Sequence, residues 1–389
     1  MSVSPRDTVA VLKLAHHGGL DYAALRARGI SPEEVLDFSV NVNPFGPSPA
    51  VQEAVARATI ARYPDTHAGA LRERLAELNG VELEEVLVTN GLSQAIWLLA
   101  LAYLEPGDEV LILAPTFGEY RVASELMGAR VERRWSRAED GFRPDVEGAA
   151  RWVKERRPRL VWLCNPNNPT GVYLGEEEVR LLLEACVEAG SLLAMDEAYV
   201  NFVETPWDSA ALLESEHLVL LRSMTKDYAL AGLRLGYVVA SASVIEALGR
   251  VQPPWSINAV AQEAGLAALD NGAYYRDTWQ RLRHLTRSFY DSLLQAGLEV
   301  IPTDTNFMLI HTGDGSRTRR ELWAHRILVR DCASFGLPEY IRVGTRLEAD
   351  NRRLVAALTH PRPGSHPNGM RPPIGVLSDG QIDSRETLS

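Results

Sequence analysis

The 389-residue chain holds only three cysteines, Cys164, Cys186 and Cys332, and none belongs to a CxxC pair. That excludes a disulfide framework and a cysteine zinc site, and no metal is expected. So few thiols fit a reducing compartment, and the cytoplasm is the expected location. Long apolar runs are missing as well: no stretch approaches the ~18–20 consecutive apolar residues of a membrane helix. The opening segment "MSVSPRDTVAVLKLAHHGG" mixes charges around an apolar run too short for a signal peptide. Positive charge is in deficit, with 40 Lys and Arg against 51 Asp and Glu and a formal net charge of −11. This argues against nucleic acid or an anionic membrane surface as the partner, while leaving room for a local basic pocket around a small anion. No internal repeat is present.

What is present is an ordinary globular composition, 46% hydrophobic and 23% charged, in a chain long enough for two domains. Short apolar runs predict strands at Glu85–Thr89, Glu109–Ala114, Leu160–Cys164, Leu192–Met195, Leu218–Leu221 and Leu235–Ala240. Amphipathic segments lie between them, such as Gly175–Ala189, whose first turn is crowded with acids as the helix dipole favours. Alternating strands and helices predict a mostly parallel α/β sheet covered on both faces. After about residue 270 the character changes. "YYRDTWQRLRHLTRSFYDSLLQAGL" reads as one long helix, and "EVIPTDTNFMLIHT" and "YIRVGTR" as strands of a smaller α+β unit. The expected division is an arm over 1–44, a large domain over 45–270, a small domain over 271–360 and a tail over 361–389. The tail is rich in proline and poor in apolar residues, which predicts disorder; a docking segment is the alternative.

In doubly wound folds ligands sit beyond the carboxyl ends of the strands. Three predicted strands end in chemistry-bearing residues: "LVWLCNPNNPTG" in Asn165 to Asn168, "LLAMDEAY" in Asp196 and Tyr199, and "LVLLRSMTK" in Ser223 and Lys226. Each has an ordinary structural reading alone. Asn168 and its prolines make a turn, Asp196 can cap a helix, Lys226 can be a solvated charge, and Arg234 can pair with any acid. Their joint occurrence at adjacent strand ends is not supplied by those readings.

Together, "NPNNPTG", "DEAY", "SMTK" and "GLRLGY" resemble the class I/II aminotransferase group of fold-type I enzymes that use pyridoxal 5′-phosphate, over roughly residues 35–358. The resemblance implies a large α/β domain with a mostly parallel central sheet plus a smaller C-terminal α+β domain. It implies that Lys226 holds the cofactor as a Schiff base, Asp196 keeps the pyridine nitrogen protonated, and Asn168 and Tyr199 bond its phenolate oxygen. Lys226 needs burial and nearby cations to be partly neutral. Ser223 and Arg234 would hold the cofactor phosphate, together with the amides of Leu92, Ser93 and Gln94 at a helix start. Phe117 would stack on the ring, unless it is a core aromatic. Tyr63 in "ARYPD" resembles the tyrosine that reaches a neighbouring subunit's phosphate, implying a homodimer with shared sites. Arg342 in "YIRVGTR" would bind a substrate carboxylate, with Asn306 on the preceding strand. Arg346 joins Arg342 only if the chain stays extended.

Histidinol-phosphate aminotransferases and threonine-phosphate decarboxylases of cobalamin synthesis share these motifs. "AHHGGLDYAALRARGISPEEVLDFSVNVNPFGP", the Thr before Lys226, "PPWSINAVAQEAG" and "ILVRDCASFGLPEYIRVGTR" look more like the decarboxylase; Ala231, where that group usually has Pro, departs from it. The expectation is therefore decarboxylation of L-threonine O-3-phosphate to (R)-1-amino-2-propanol O-2-phosphate, with histidinol-phosphate aminotransferase as the alternative. Both substrates carry a phosphate ester, for which Arg330 is the candidate. His17 could close over it or be an exposed N-terminal histidine. A transcription regulator of this fold would need a DNA-binding segment, and the first 40 residues are short and insufficiently basic for one.

Overall fold

The computed structural model describes residues 3–359; the tail at 361–389 lies outside the described residues. A short strand, β1 (Leu36–Asp37), precedes the large domain. Seven strands then build its sheet: β2 (Val86–Thr89), β3 (Glu109–Ala114), β4 (Arg130–Trp135), β5 (Leu160–Cys164), β6 (Leu192–Asp196), β7 (Leu218–Ser223) and β8 (Gly236–Ala240). Their order is β2-β8-β7-β6-β5-β3-β4. All pairs are parallel except those of β8, which runs antiparallel to β2 and β7.

Why these strands read as unbroken apolar runs follows from burial on both faces. Val161, Leu163, Leu193 and Met195 point into one core with the helices Val146–Arg156 and Glu176–Ala189. The alternate residues Leu160, Trp162, Leu192 and Ala194 point into a second core under the helices Gly91–Tyr103 and Glu119–Leu126. Fully burying one such Leu is worth roughly 1.5–3 kcal/mol. Strand β4, "RVERRW", was not legible as a strand, because it is the exposed edge of the sheet and has no apolar run to show.

Beyond β8 lie the long helix Gly272–Gln295 and five strands: β9 (Glu299–Val300), β10 (Phe307–His311), β11 (Ile327–Leu328), β12 (Arg330–Asp331) and β13 (Tyr340–Gly344). A small antiparallel sheet runs β12-β13-β10-β9, and β1 pairs with β11 in parallel. The stretch expected as one strand is thus two, β9 and β10, interrupted by the loop around Pro302–Asn306. The long helix serves both units: Tyr275 sits in a large-domain core, while Phe289 and Leu293 sit in that of the small sheet. The segment after β1 also crosses between them. Phe38 donates to Leu328 O and accepts from Gly344 N, and Asn43 N donates to Lys226 O, each at 2.8 Å. Among the described residues no helix is long and apolar enough to cross a membrane.

Candidate active site

Strands β7, β6 and β5 are neighbours, so their carboxyl ends deliver Lys226, Asp196 and Asn168 to one edge. They line a cavity of about 310 Å³, a size suited to a small ligand. The cavity also takes in His17, Leu92, Ser93, Phe117, Tyr199, Ser223, Arg234, Arg330 and Arg342. Lys226 is half-buried, and burial with the nearby Arg342 and Arg234 lowers its amine to about 8. Asp196 is buried, which pushes its carboxyl up to about 6 against the opposing pull of the Tyr120 hydroxyl and the Ala198 amide. Burial likewise raises Tyr199 to about 12, so its phenol keeps its proton and remains a donor. Arg342 is buried too; it donates to Asn168 Oδ1 and, at 2.7 Å, to Ser39 O. Accepting from Arg342 turns the Asn168 amide so that its NH2 group is left to donate elsewhere.

An anion cradle stands beside these groups. The helix Gly91–Tyr103 begins without a side-chain cap, so its first amides and its dipole are open to a negative charge. Gly91 has φ +67°, and a Cβ there would stand 2.9 Å from Arg234 Nη2, so glycine lets the guanidinium pass. Ser223 Oγ and Thr225 Oγ1 are 2.7 Å apart at the same edge. At the far side Gly171 performs a similar service: its φ is +77°, and a Cβ would lie 2.1 Å from Thr303 Oγ1. The 303–306 loop therefore packs directly on the turn that carries Asn168.

The remaining sequence-derived candidates divide. His17 is at the cavity, its Nε2 3.0 Å from Glu119 Oε1 and its ring 5.6 Å from Phe117. Arg330 is there also, donating to His16 O at 2.8 Å and Ser334 Oγ at 2.5 Å; burial and Arg342 lower it to about 10. Three are not brought in. Arg346 bonds Asp350 Oδ2 at 3.0 Å and Asp37 O at 3.3 Å, because β13 ends at Gly344 and the chain turns before it. Asn306 donates to Asn41 O at 3.1 Å, bracing a cavity residue from behind. Tyr63 is 79% exposed and packs at a tilt against Trp255 with centroids 4.7 Å apart, outside this chain's cavity. Gln94 contributes no side chain: its Oε1 accepts from Asn90 N and its Nε2 donates to Ser256 Oγ.

Sequence reasoning missed Ser39, Asn41, Tyr120, Cys164, Thr225 and Phe335, all of which line the cavity. For Tyr120 no periodic signal existed, since Phe117 lies in the turn before the helix Glu119–Leu126 that carries Tyr120. Among the described residues no cluster of three or more His, Cys, Asp or Glu is placed to hold a metal ion.

The donor set fits pyridoxal 5′-phosphate. An amine of lowered pKa, a buried carboxylate, an amide, a phenol, an aromatic ring and an uncapped helix start with an arginine match its aldehyde, ring nitrogen, phenolate, ring face and phosphate. Arg342 Nε and Asn41 Oδ1 are buried without a partner, as expected where a polar ligand completes the bonding.

Comparison with known proteins agrees. The family "Aminotransferase class I and II" matches residues 33–358. A histidinol-phosphate aminotransferase of Symbiobacterium thermophilum is 38% identical over 340 residues, 85% of this chain and 91% of that protein. A threonine-phosphate decarboxylase of Salmonella typhimurium is 37% identical over 372 residues, 92% of this chain and all of that protein. Among solved structures, histidinol-phosphate aminotransferase from Sinorhizobium meliloti in complex with pyridoxal-5′-phosphate superposes with a TM-score of 0.83 at 23% identity, covering 92% of this chain and 98% of that one. With the family's profile matching residues 33–358, the chain belongs to the class I and II aminotransferases.

Proposed function

We propose that this pyridoxal-phosphate-dependent enzyme transfers the amino group of a small phosphorylated substrate, histidinol phosphate or a near relative, to a keto acid. The observation that carries the reading is Lys226, an amine whose pKa is lowered to about 8, beside Asp196 in a cavity that Arg330 and Arg342 also line. When bound, the cofactor supplies an electron sink for the bond broken at the substrate's Cα. Lys226 Nζ, neutral in part at pH about 8, takes the Cα proton and returns it. Asp196 holds the ring-nitrogen proton, and Tyr199 and Asn168 donate to the phenolate. Arg342 and Arg330 meet a phosphate ester in one half-reaction and a carboxylate in the other, both being planar or tetrahedral oxyanions that an arginine fork matches. The named aminotransferase relatives support this over the decarboxylation expected from local motifs.

A second reading is decarboxylation of L-threonine O-3-phosphate. It is favoured by the full-length match to the Salmonella decarboxylase and by His16, His17 and Gly18, which bring the N-terminal His-Gly-Gly element to the cavity. A product assay on the cofactor-loaded protein separates the two. Glutamate from histidinol phosphate with 2-oxoglutarate, and no CO2 from L-threonine O-3-phosphate, supports transfer. CO2 released from the second compound without a keto acid overturns it.

We also infer a homodimer with shared sites, in which Tyr63 completes the neighbouring protomer's phosphate cradle. Its support is the exposure of Tyr63 outside its own cavity.

A further inference from the structure

Asp196 can hold a protonated ring nitrogen only as a carboxylate, yet its surroundings oppose the charge. It is 4% exposed at the end of β6, and burial is the largest influence on it. Glu197 beside it opposes the charge further, while Lys226 favours it. Cys164 on β5 and Tyr199 also face it, and burial drives both of their pKa values up to about 12 and keeps them neutral. Two donors act directly on the carboxylate. Ala198 N donates to Oδ1 at 2.9 Å, and the Tyr120 hydroxyl donates to Oδ2 at 2.7 Å.

Tyr120 is built to deliver that one proton. Its ring is fully buried, stacked on Trp162 at 5.0 Å and 11°, and set edge-on against Phe117 at 5.7 Å and 78°. Burial and the adjacent Asp196 push its phenol well above the usual range, so it does not lose the proton at any working pH. These contacts hold the ring on both sides, and its hydroxyl meets the Asp196 carboxylate and the Cys164 thiol. The same ring also supports Phe117, so one side chain braces the groups expected at the cofactor's nitrogen and at its face.

We propose that Tyr120 is a positioning residue for the cofactor: its hydroxyl orients Asp196 toward the ring nitrogen and keeps it ionised. The proposal rests on the pyridoxal-phosphate reading of the cavity. Replacing Tyr120 by Phe keeps both ring contacts and removes only the donor. A hydrogen bond to a charged group is worth enough that Tyr120→Phe should weaken cofactor binding about ten- to a hundredfold.

The test is a double-mutant cycle read by equilibrium cofactor binding and by the pH titration of the bound cofactor's visible absorbance. Asp196→Asn has no carboxylate to hold ionised, so adding Tyr120→Phe to it should change affinity less than about threefold. Tyr120→His, which retains a donor, should lie closer to the wild type than Tyr120→Phe. Unchanged affinity and titration in Tyr120→Phe, or an equal loss with and without the Asp196 carboxylate, overturns the proposal. If Tyr120→Phe proves unstable, the order of Tyr120→His and a second truncation, Tyr120→Leu, decides: equal losses overturn it. A wild-type protein that takes up no pyridoxal phosphate overturns the cofactor reading itself, a result distinct from any of these.

Discussion

At Lys226, function works against stability. Burial and two arginines hold its amine near 8, against the usual 10.5. The unfolded chain therefore binds the proton more tightly than the folded apoprotein does. Between pH 8 and 10.5 the unfolded state carries more protons, so stability rises with pH across that window; below 8 the full penalty of the buried charge applies. Lys226→Met should accordingly raise the melting temperature of the apoprotein at pH 7, and the gain should vanish above about pH 10.5. Thermal scans of the two apoproteins at several pH values check this, and a variant that melts no higher at pH 7 contradicts it. The same variant should show none of the absorbance of a covalently held cofactor. In the wild type, the rate of cofactor capture should climb with pH with a midpoint near 8, because only the neutral amine attacks.

At the scale of elements, the phosphate cradle depends on how a strand hands over to a helix. The chain leaves β2, passes Asn90 and enters the helix Gly91–Tyr103 with Gly91 at φ +67°. Gly91→Ala forces a side chain into the left-handed region, at about 1–2 kcal/mol, and presses its Cβ on Arg234. Cofactor affinity should fall about tenfold or more, while the helix itself, buried through Ile96, Leu98 and Leu99, should remain. Fluorescence titration with pyridoxal phosphate and far-UV circular dichroism measure the two halves. Circular dichroism showing loss of the helix, or affinity unchanged, would refute the cradle. Arg346 teaches the complementary lesson. A four-residue offset from Arg342 shares a face only along a continuous strand, and β13 stops between them.

For the whole molecule, the consequential expectation is the shared site. If Tyr63 serves the neighbouring protomer, then Lys226→Ala and Tyr63→Ala impair the same site from different chains. Mixing the two variants under conditions that exchange subunits should restore activity, because one of the two sites in each mixed dimer draws both residues from unmutated positions. Mixtures no more active than the separate variants would remove the shared site. Joining the two domains is the segment from β1 to Asn43, which pairs with β11, meets β13 at Gly344 and holds the backbone of Lys226.

Much of this was legible in the sequence because the physics involved is local. Strands buried on both faces must be apolar throughout, so six of the seven large-sheet strands announced themselves; β4, an exposed edge, had nothing to announce. Lys226, Asp196 and Asn168 were readable because strand ends are where a doubly wound sheet exposes chemistry. What only the tertiary structure decided is long-range. That Tyr120 reaches Asp196 across 76 positions, that Arg342 bonds Asn168 across 174, and that His16–Gly18 close on the cavity depend on packing between elements far apart in the chain. Sequence periodicity specifies which face of an element is buried, and the fold alone specifies what that face meets.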